Sequence, residues 1–253
     1  MTNKQEKMIC NSFGISKLKA FQKDVITDLL KGKDVLGLAR TSEGKSICFL
    51  SMITLHPNGL LIGILPTVSL MRDLVQRCED NKIRAGCLYS ENRENTNTIE
   101  QLTHRKLQAL FVAPERLSDP RLWKAIQKNS VHTVVVDEVH CLTEWGNEFR
   151  PMYRNIGKFI KDLPNSPVVA AFSATVMPDD IPYIVKSLHM KNPVIHIGKL
   201  KRSNLSLKKS FVKNDAARYA KVRKAIQKYD SKGKIVIYCT RVCDVEDMRD
   251  FLI

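Results

Sequence analysis

The stretch Val35-Leu-Gly-Leu-Ala-Arg-Thr-Ser-Glu-Gly-Lys-Ser46 decides the fold of this chain. Its first four residues form an apolar run typical of a buried strand, and the apolar residues after Ser46 favour a helix. A tight turn joins the two, so Gly44, Lys45 and Ser46 open a helix whose free N–H groups can cradle phosphate oxygens. Lys45 is then expected to reach the β- and γ-phosphates of a nucleotide, and Ser46 to ligate Mg²⁺. The turn departs from the general G-x-x-x-x-G-K-[ST] pattern at its first position, where Ala39 replaces glycine.

A second motif, Thr133-Val-Val-Val-Asp-Glu-Val-His140, supports this interpretation. Its apolar strand delivers Asp137 and Glu138 to the carboxyl end, where parallel sheets bind their ligands. One carboxylate is expected to hold Mg²⁺ through water, and the other to polarise the water that attacks the γ-phosphate. Asp-Glu after a strand is also common near a helix N-terminus. Its position about 90 residues after the Gly-Lys-Ser turn favours a nucleoside-triphosphate site.

Short apolar runs alternate with stretches of helical periodicity along the chain. The runs are continuous rather than alternating in polarity, which indicates strands that are buried on both faces. The sequence therefore predicts an α/β fold, with a mainly parallel sheet and helices on both of its faces. The predicted strands are 35–39, 60–65, 86–89, 109–113, 133–137, 168–173, 194–197 and 234–239, and the clearest helices are 21–30, 69–78, 122–127 and 153–160.

The eighth predicted strand lies beyond a change in composition and indicates a second domain. Lys and Ser dominate residues 198–210, which is typical of a linker. We predict a first domain over 1–197, a basic linker over 198–212 and the beginning of a second domain over 213–253. The second domain is expected to stop after its first strand and helix.

The charge of the chain indicates an anionic partner. Its 253 residues include 41 Lys and Arg against 26 Asp and Glu, a net charge of +15. Residues 199–234 hold thirteen of the basic residues and two of the acidic ones, which is +11 of the total. Nucleic acid is the commonest polyanion to match such a charge, although a solvated helix face has the same composition.

Composition also excludes several classes of protein. With 43% hydrophobic and 26% charged residues, the chain is typical of a globular rather than a disordered protein. No apolar run approaches the roughly 20 residues of a membrane span, and no secretory signal is visible, so we expect an intracellular protein without a membrane partner. The seven cysteines lack C-x-x-C spacing and are expected to be reduced thiols.

Residues 137–153, Asp-Glu-Val-His-Cys-Leu-Thr-Glu-Trp-Gly-Asn-Glu-Phe-Arg-Pro-Met-Tyr, resemble the D-E-x-H box and aromatic-rich loop of the RecQ family of superfamily 2 DNA helicases. The resemblance extends from about Phe13 to Leu252 and implies an ATP-binding RecA-like lobe followed by the start of a second RecA-like lobe. The other segments that follow the family's order are Phe13-Gly14 with Gln22, Leu65-Pro-Thr-Val-Ser-Leu-Met-Arg-Asp73, Ala113-Pro-Glu-Arg-Leu117, Phe172-Ser-Ala-Thr175, Arg202-Ser-Asn204 and Ile237-Tyr-Cys-Thr-Arg241.

The resemblance implies a role for individual residues. ATP would be bound by Lys19, Gln22, Thr41, Ser42, Glu43, Gly44, Lys45 and Ser46, with Gln22 on the adenine edge. Lys45, Asp137, Glu138 and His140 would act in catalysis, and Ser46 and Asp137 would hold Mg²⁺. Ser173 and Thr175 would couple the nucleotide state to the DNA state. Single-stranded DNA would be bound by Trp145, Phe149 and Arg150 through stacking and phosphate contacts.

The function implied is that of an ATP-dependent 3′-to-5′ helicase acting on single-stranded and forked DNA in repair or recombination, in the nucleus of a eukaryote or the cytoplasm of a bacterium. The oligomeric state is left open. One alternative is a nucleic-acid-binding protein with weak or no catalysis, because Ser42 and Glu43 depart from the family's T-G-G-G-K-S turn and the second lobe is incomplete. Glu43 is expected to weaken ATP binding through its negative charge. Another alternative is an RNA helicase, against which the Trp-Gly-x-x-Phe-Arg loop argues.

Overall fold

A computed structural model describes residues 1–40, 43–143, 153, 155–198, 205–229 and 233–252. The chain divides into two compact units, Met1–Lys201 and Arg202–Ile253. Every helix among the described residues is too short or too polar to cross a lipid bilayer.

A seven-stranded sheet, in which all neighbouring strands are parallel, forms the centre of the first unit. The strands are β1 (Val35–Leu38), β2 (Leu60–Ile64), β3 (Ala85–Leu88), β4 (Ala109–Val112), β5 (Val131–Val136), β6 (Val168–Ser173) and β7 (Val194–Ile197). Their order across the sheet is β3-β4-β2-β5-β6-β1-β7. The predicted α/β fold is confirmed, and seven predicted strands agree with the structure to within two residues at either end.

The described residues of the first unit form eight α-helices, of which the first two precede β1 and the other six connect the strands. They are α1 (Asn3–Ser12), α2 (Ala20–Leu30), α3 (Lys45–Leu55), α4 (Val68–Asp80), α5 (Asn95–Thr103), α6 (Pro120–Ile126), α7 (Asn155–Asp162) and α8 (Ile181–Ser187). Sequence reasoning missed α1, α5 and α8, because each buries only one or two side chains and shows little apolar periodicity. A reciprocal capping box between Thr2 and Gln5 is the signal that identifies α1.

Helices cover both faces of the sheet because successive strand residues point to opposite sides. Leu36, Ile62 and Val134 pack with buried residues of α5 to α8. Their neighbours Val35, Leu61 and Val135 pack with buried residues of α1 to α4. Both faces of the strands are therefore apolar, as the continuous hydrophobic runs predicted.

The second unit contains α9 (Asp215–Tyr229) and α10 (Val242–Leu252), which contact each other through Tyr219 and Phe251, with ring centroids 5.1 Å apart. The predicted strand at 234–239 is wrong, since residues 234–239 have no strand hydrogen bonds. A strand needs a neighbour for its N–H and C=O groups. Within the described part of this unit, no second strand provides one.

Candidate nucleotide site

The order β5-β6-β1 brings three distant segments together at the carboxyl edge of the sheet. The turn after β1 is tied to the end of β6, because the Ala39 N–H donates to the Ser173 carbonyl at 3.0 Å. The residue after β5 is tied to β2 in the same way, since the Asp137 N–H donates to the Ile64 carbonyl at 3.1 Å. The Gly-Lys-Ser turn and the Asp-Glu pair therefore lie at the same edge, as the sequence predicts.

Gly44 sets the shape of the phosphate turn. It has left-handed backbone angles, φ 77° and ψ 38°, immediately before α3 begins at Lys45. A Cβ atom at this position would collide with the side-chain amide of Gln22. The backbone angles therefore favour glycine here, and a larger residue would also displace the Gln22 amide.

Lys45 and Ser46 line the same cavity, of about 430 Å³, as Asp137 and Glu138. The Lys45 ammonium donates to the Ala39 carbonyl at 2.8 Å, across the mouth of the turn. The Ser46 hydroxyl accepts a hydrogen bond from Arg77 Nη1 of α4 at 2.7 Å. Sequence reasoning missed Arg77 because it lies 31 residues after Ser46 and reaches it only through tertiary packing.

Glu43 lies inside the turn but does not carry an isolated negative charge. Glu43 is only 7% exposed. One carboxylate oxygen lies 2.8 Å from the Arg40 guanidinium, and the other lies 3.4 Å from the Lys19 ammonium. Burial by itself raises the pKa of Glu43, but the hydrogen bonds and charges of Arg40 and Lys19 outweigh it and hold the pKa below its ordinary value.

Gln22 braces the turn from α2. Its side-chain oxygen accepts from the Lys19 N–H at 2.9 Å, and its side-chain N–H donates to the Gly44 carbonyl at 3.1 Å. The side chain is buried, with the residue 4% exposed. The structure thus shows Gln22 holding the phosphate turn against the start of α2, and its contact with adenine stays a prediction.

Asp137 and Glu138 differ sharply in environment. Asp137 is 8% exposed, and its Oδ1 accepts from the Glu138 N–H at 2.9 Å. Burial, and second the charge of Glu138, raise the pKa of Asp137 to about 6. Glu138 has left-handed backbone angles, with φ 53°, which are rare for a residue other than glycine.

His140 connects the carboxylates to the end of β6. Its Nδ1 lies 3.1 Å from Glu138 Oε2 and 2.9 Å from the Ser173 hydroxyl. That hydroxyl in turn donates to the Thr175 carbonyl and accepts from the Thr175 N–H, both at 3.2 Å. The structure brings together Glu138, His140, Ser173 and Thr175 in one polar network, in which hydrogen bonds join His140 to Ser173 and Ser173 to Thr175.

The described residues fit a magnesium nucleotide. The Ser46 hydroxyl and the Asp137 carboxylate line one cavity and are the oxygen donors that Mg²⁺ prefers. Lys45 and the N-terminus of α3 supply positive charge and N–H donors for phosphate. A bound divalent cation would also favour the ionised form of the buried Asp137 carboxyl.

Five residues of the predicted site lie outside the described residues. They are Thr41 and Ser42 of the turn, and Trp145, Phe149 and Arg150 of the aromatic-rich loop. Their roles stay predictions from the family resemblance.

Comparison with known proteins agrees with this geometry. A family model described as DEAD/DEAH box helicase matches residues 19–181. The probable ATP-dependent DNA helicase RecS of Bacillus subtilis is 30% identical over 93% of this chain and 47% of its own length. The ATP-dependent DNA helicase RecQ of Synechocystis is also 30% identical, over 93% of this chain and 51% of its own. The chain thus spans about half the length of these relatives.

Solved helicase structures share the fold. A hypothetical ATP-dependent RNA helicase from Sulfolobus tokodaii superposes with a TM-score of 0.60 at 22% identity, covering 77% of this chain and 56% of its own. The DUF1998 helicase MrfA, bound to DNA and AMPPNP, superposes with a TM-score of 0.75 at 15% identity, covering 100% of this chain and 38% of its own. With the phosphate turn, the Asp-Glu pair and a family match over more than half of its residues, the chain belongs to the DEAD/DEAH box helicase family, and its resemblance to RecQ helicases is confirmed.

Proposed function

We propose that the chain is the nucleotide-binding part of an ATP-dependent DNA helicase of RecQ type, which moves 3′ to 5′ along single-stranded DNA and opens forked duplexes in repair or recombination. The observation that carries this proposal is the network from Glu138 through His140 to Ser173 and Thr175. It joins the Glu138 carboxylate, which lines the nucleotide cavity, to the end of a different strand. A movement of the Glu138 side chain can therefore change the position of Ser173 and Thr175 through these contacts.

Each residue of the site has a distinct part in ATP hydrolysis. Lys45 would exchange the Ala39 carbonyl for phosphate oxygens, because an anion competes better for an ammonium than a neutral carbonyl does. Ser46 and Asp137 would hold Mg²⁺, which neutralises phosphate charge when it is bound. Glu138 would orient and deprotonate the attacking water, and His140 would keep the Glu138 carboxylate in place through the 3.1 Å contact.

The second unit and the aromatic-rich loop are also expected to take part in this function. We propose that the second unit, Arg202–Ile253, corresponds to the beginning of a second RecA-like lobe, since similarity to both bacterial relatives covers 93% of this chain. DNA specificity is supported by the names of those relatives. Trp145, Phe149 and Arg150 are the residues that we propose contact the DNA strand.

The test is ATP hydrolysis by this chain with and without single-stranded DNA, together with binding of a fluorescent ATP analogue. We expect single-stranded DNA to stimulate hydrolysis. Lys45→Ala should abolish analogue binding, while Glu138→Gln should bind the analogue but lose hydrolysis by about 100-fold or more. Glu94→Gln removes an exposed carboxylate from another loop at the same edge and serves as the matched control.

Several results would overturn the proposal. Equal hydrolysis with and without DNA, or unchanged behaviour of both variants, contradicts a DNA-stimulated ATPase. Stimulation by RNA but not by DNA indicates an RNA helicase instead. Salt-dependent DNA binding without any nucleotide binding indicates a non-catalytic nucleic-acid-binding protein.

A further inference from the structure

Among the residues that the structure describes, the two edges of the seven-stranded sheet carry opposite charge. At the amino edge, seven segments lead from a helix into a strand: 31–34, 56–59, 81–84, 104–108, 127–130, 163–167 and 188–193. Together they hold one acidic residue, Asp34, and eight basic ones, Lys31, Lys33, Lys82, Arg84, Arg105, Lys106, Lys128 and Lys191. At the carboxyl edge, the described residues that follow the strands include nine acidic residues, Glu43, Glu91, Glu94, Glu115, Asp119, Asp137, Glu138, Asp179 and Asp180, and three basic ones, Arg40, Arg93 and Arg116.

Most of the positive charge at the amino edge is not neutralised by the protein. Asp34 is buried, and its two carboxylate oxygens accept from the Val169 and Lys191 N–H groups at 2.8 and 2.6 Å. Lys31 and Lys33 pair with Asp28 at 3.8 and 3.3 Å. The other six basic side chains have no carboxylate within 4.0 Å among the residues that the structure describes.

Three of these six line a polar cavity of about 390 Å³, which we call the amino-edge cavity: Arg84, Arg105 and Lys128. None of its lining residues is acidic. One of its amide side chains is held in place, since the Gln108 side-chain oxygen accepts from the Arg84 N–H at 3.2 Å and the Gln108 side-chain N–H donates to the Pro57 carbonyl at 3.3 Å. The cavity therefore combines three cations with several amide side chains, a set that suits phosphate and sugar oxygens.

We propose that the amino edge of the sheet, centred on the amino-edge cavity, binds the phosphodiester backbone of nucleic acid. The basic residues occur along the edge from β3 to β7, a span of about 29 Å for strands about 4.8 Å apart. A row of that length matches an extended polyanion better than a single small anion. This surface lies at the edge opposite the nucleotide site, so the inference does not rest on the proposed function.

Helix dipoles provide a competing reason for these cations. The helices that precede the strands end at the amino edge, and basic residues near helix C-termini stabilise the exposed carbonyls. That effect accounts for one cation at each helix end. It does not account for three cations and several amides around one cavity with no acidic residue in its lining.

The test compares two triple variants of the 253-residue chain that lose the same charge. The edge variant carries Arg84→Gln, Arg105→Gln and Lys128→Gln. The matched control carries Lys4→Gln, Lys7→Gln and Lys158→Gln, three exposed lysines on α1 and α7. Binding of short single-stranded and duplex DNA is measured by fluorescence anisotropy, without nucleotide, between about 50 and 200 mM salt. Thermal unfolding and binding of a fluorescent ATP analogue report whether each variant is folded.

We expect the edge variant to bind DNA at least about tenfold more weakly than the control, with the slope of log K against log salt smaller by about 2 to 3. A larger loss with duplex or with single strand identifies the form that the edge prefers. Equal affinities and slopes for the two variants would overturn the proposal. The proposal would also be overturned if the edge variant melted at a lower temperature but bound DNA as well as the control does. That result would mean that the three cations serve to stabilise the helix C-termini. Because no ATP is present, the comparison of the two triple variants does not depend on nucleotide binding or hydrolysis, so its outcome is separate from that of the proposed helicase function.

Discussion

The structure changes the role that the sequence predicts for Glu43. As a negative charge in a phosphate turn, it predicts weak ATP binding. In the structure its carboxylate is paired with Arg40 and Lys19, which cancels much of that charge. Glu43 therefore acts chiefly by neutralising two cations that would otherwise attract phosphate.

Glu43→Gln is expected to tighten binding of ATP, because Arg40 and Lys19 lose their carboxylate while the turn keeps its hydrogen-bonding side chain. The gain should be on the order of fivefold at low salt and should shrink as salt is raised. Titration with a fluorescent ATP analogue at low and high salt measures it, with Glu94→Gln as the control. Weaker binding by Glu43→Gln would mean that the ion pairs build the turn rather than restrain the cations.

His132, at the start of β5, is expected to make the protein less stable in acid. Burial, and second the charge of His56, hold the pKa of His132 down to about 4, and the two rings lie 5.2 Å apart. Below about pH 6.5 His132 becomes protonated in the unfolded chain, whereas in the folded chain it stays neutral down to about pH 4. Because the unfolded state then binds more protons, the free energy of unfolding falls as the pH drops from about 6.5 toward 4. We expect about 2 kcal/mol to be lost between about pH 7.5 and 5 from this residue.

Urea unfolding at the two pH values checks this loss. His132→Gln should flatten the dependence, while the exposed His104→Gln should not. If both variants keep the slope of the parent chain, other groups cause the acid sensitivity.

At the level of the elements, Asp34 holds β1, β6 and the segment before β7 together. Its carboxylate accepts two backbone N–H groups, from Val169 and Lys191, and its own carbonyl accepts from the Val194 N–H at 2.8 Å. Asp34→Ala leaves one buried and one partly buried backbone amide without partners, so we expect the free energy of unfolding to fall by about 3 kcal/mol. Chemical denaturation measures this, with the exposed Asp162→Ala as the control. A loss equal to that of the control would show that water replaces the carboxylate.

The pattern of apolar residues in the sequence predicts a strand or helix well where both of its faces are buried. It predicts an element poorly where few of its side chains are buried. β2 and β5 have continuous apolar runs, and the sequence locates both to within two residues. α1 buries Ile9 and little else, so its apolar pattern is weak. Residues 234–239 have the composition of a strand but no neighbour, since β-structure depends on a partner that local sequence cannot supply.

At the scale of the whole molecule, the two units differ in how much apolar surface they bury. In the described part of the second unit Met248 is buried, whereas Leu207, Phe211 and Tyr238 are 95%, 85% and 92% exposed. α9 buries none of its residues. So little burial contributes little free energy against the conformational entropy of the chain.

Amide hydrogen exchange should therefore separate the units. We expect amides of α9 and α10 to exchange at least about 100-fold faster than those of β1 and β5, which are buried on both faces. Mass spectrometry of peptides from the intact chain provides the comparison. Equal protection in the two units would contradict a weakly stabilised second unit.

By itself the sequence determined the α/β class, seven of the strands, the phosphate turn and the Asp-Glu pair, because each depends on residues close together in the chain. Tertiary structure alone decided that β6 lies between β5 and β1, that Ser173 meets His140, and that Arg77 reaches Ser46. It also decided that eight basic residues from five separate segments share one edge of the sheet. Strand order and charge clustering depend on distances in space between residues far apart in sequence, so no local pattern contains them.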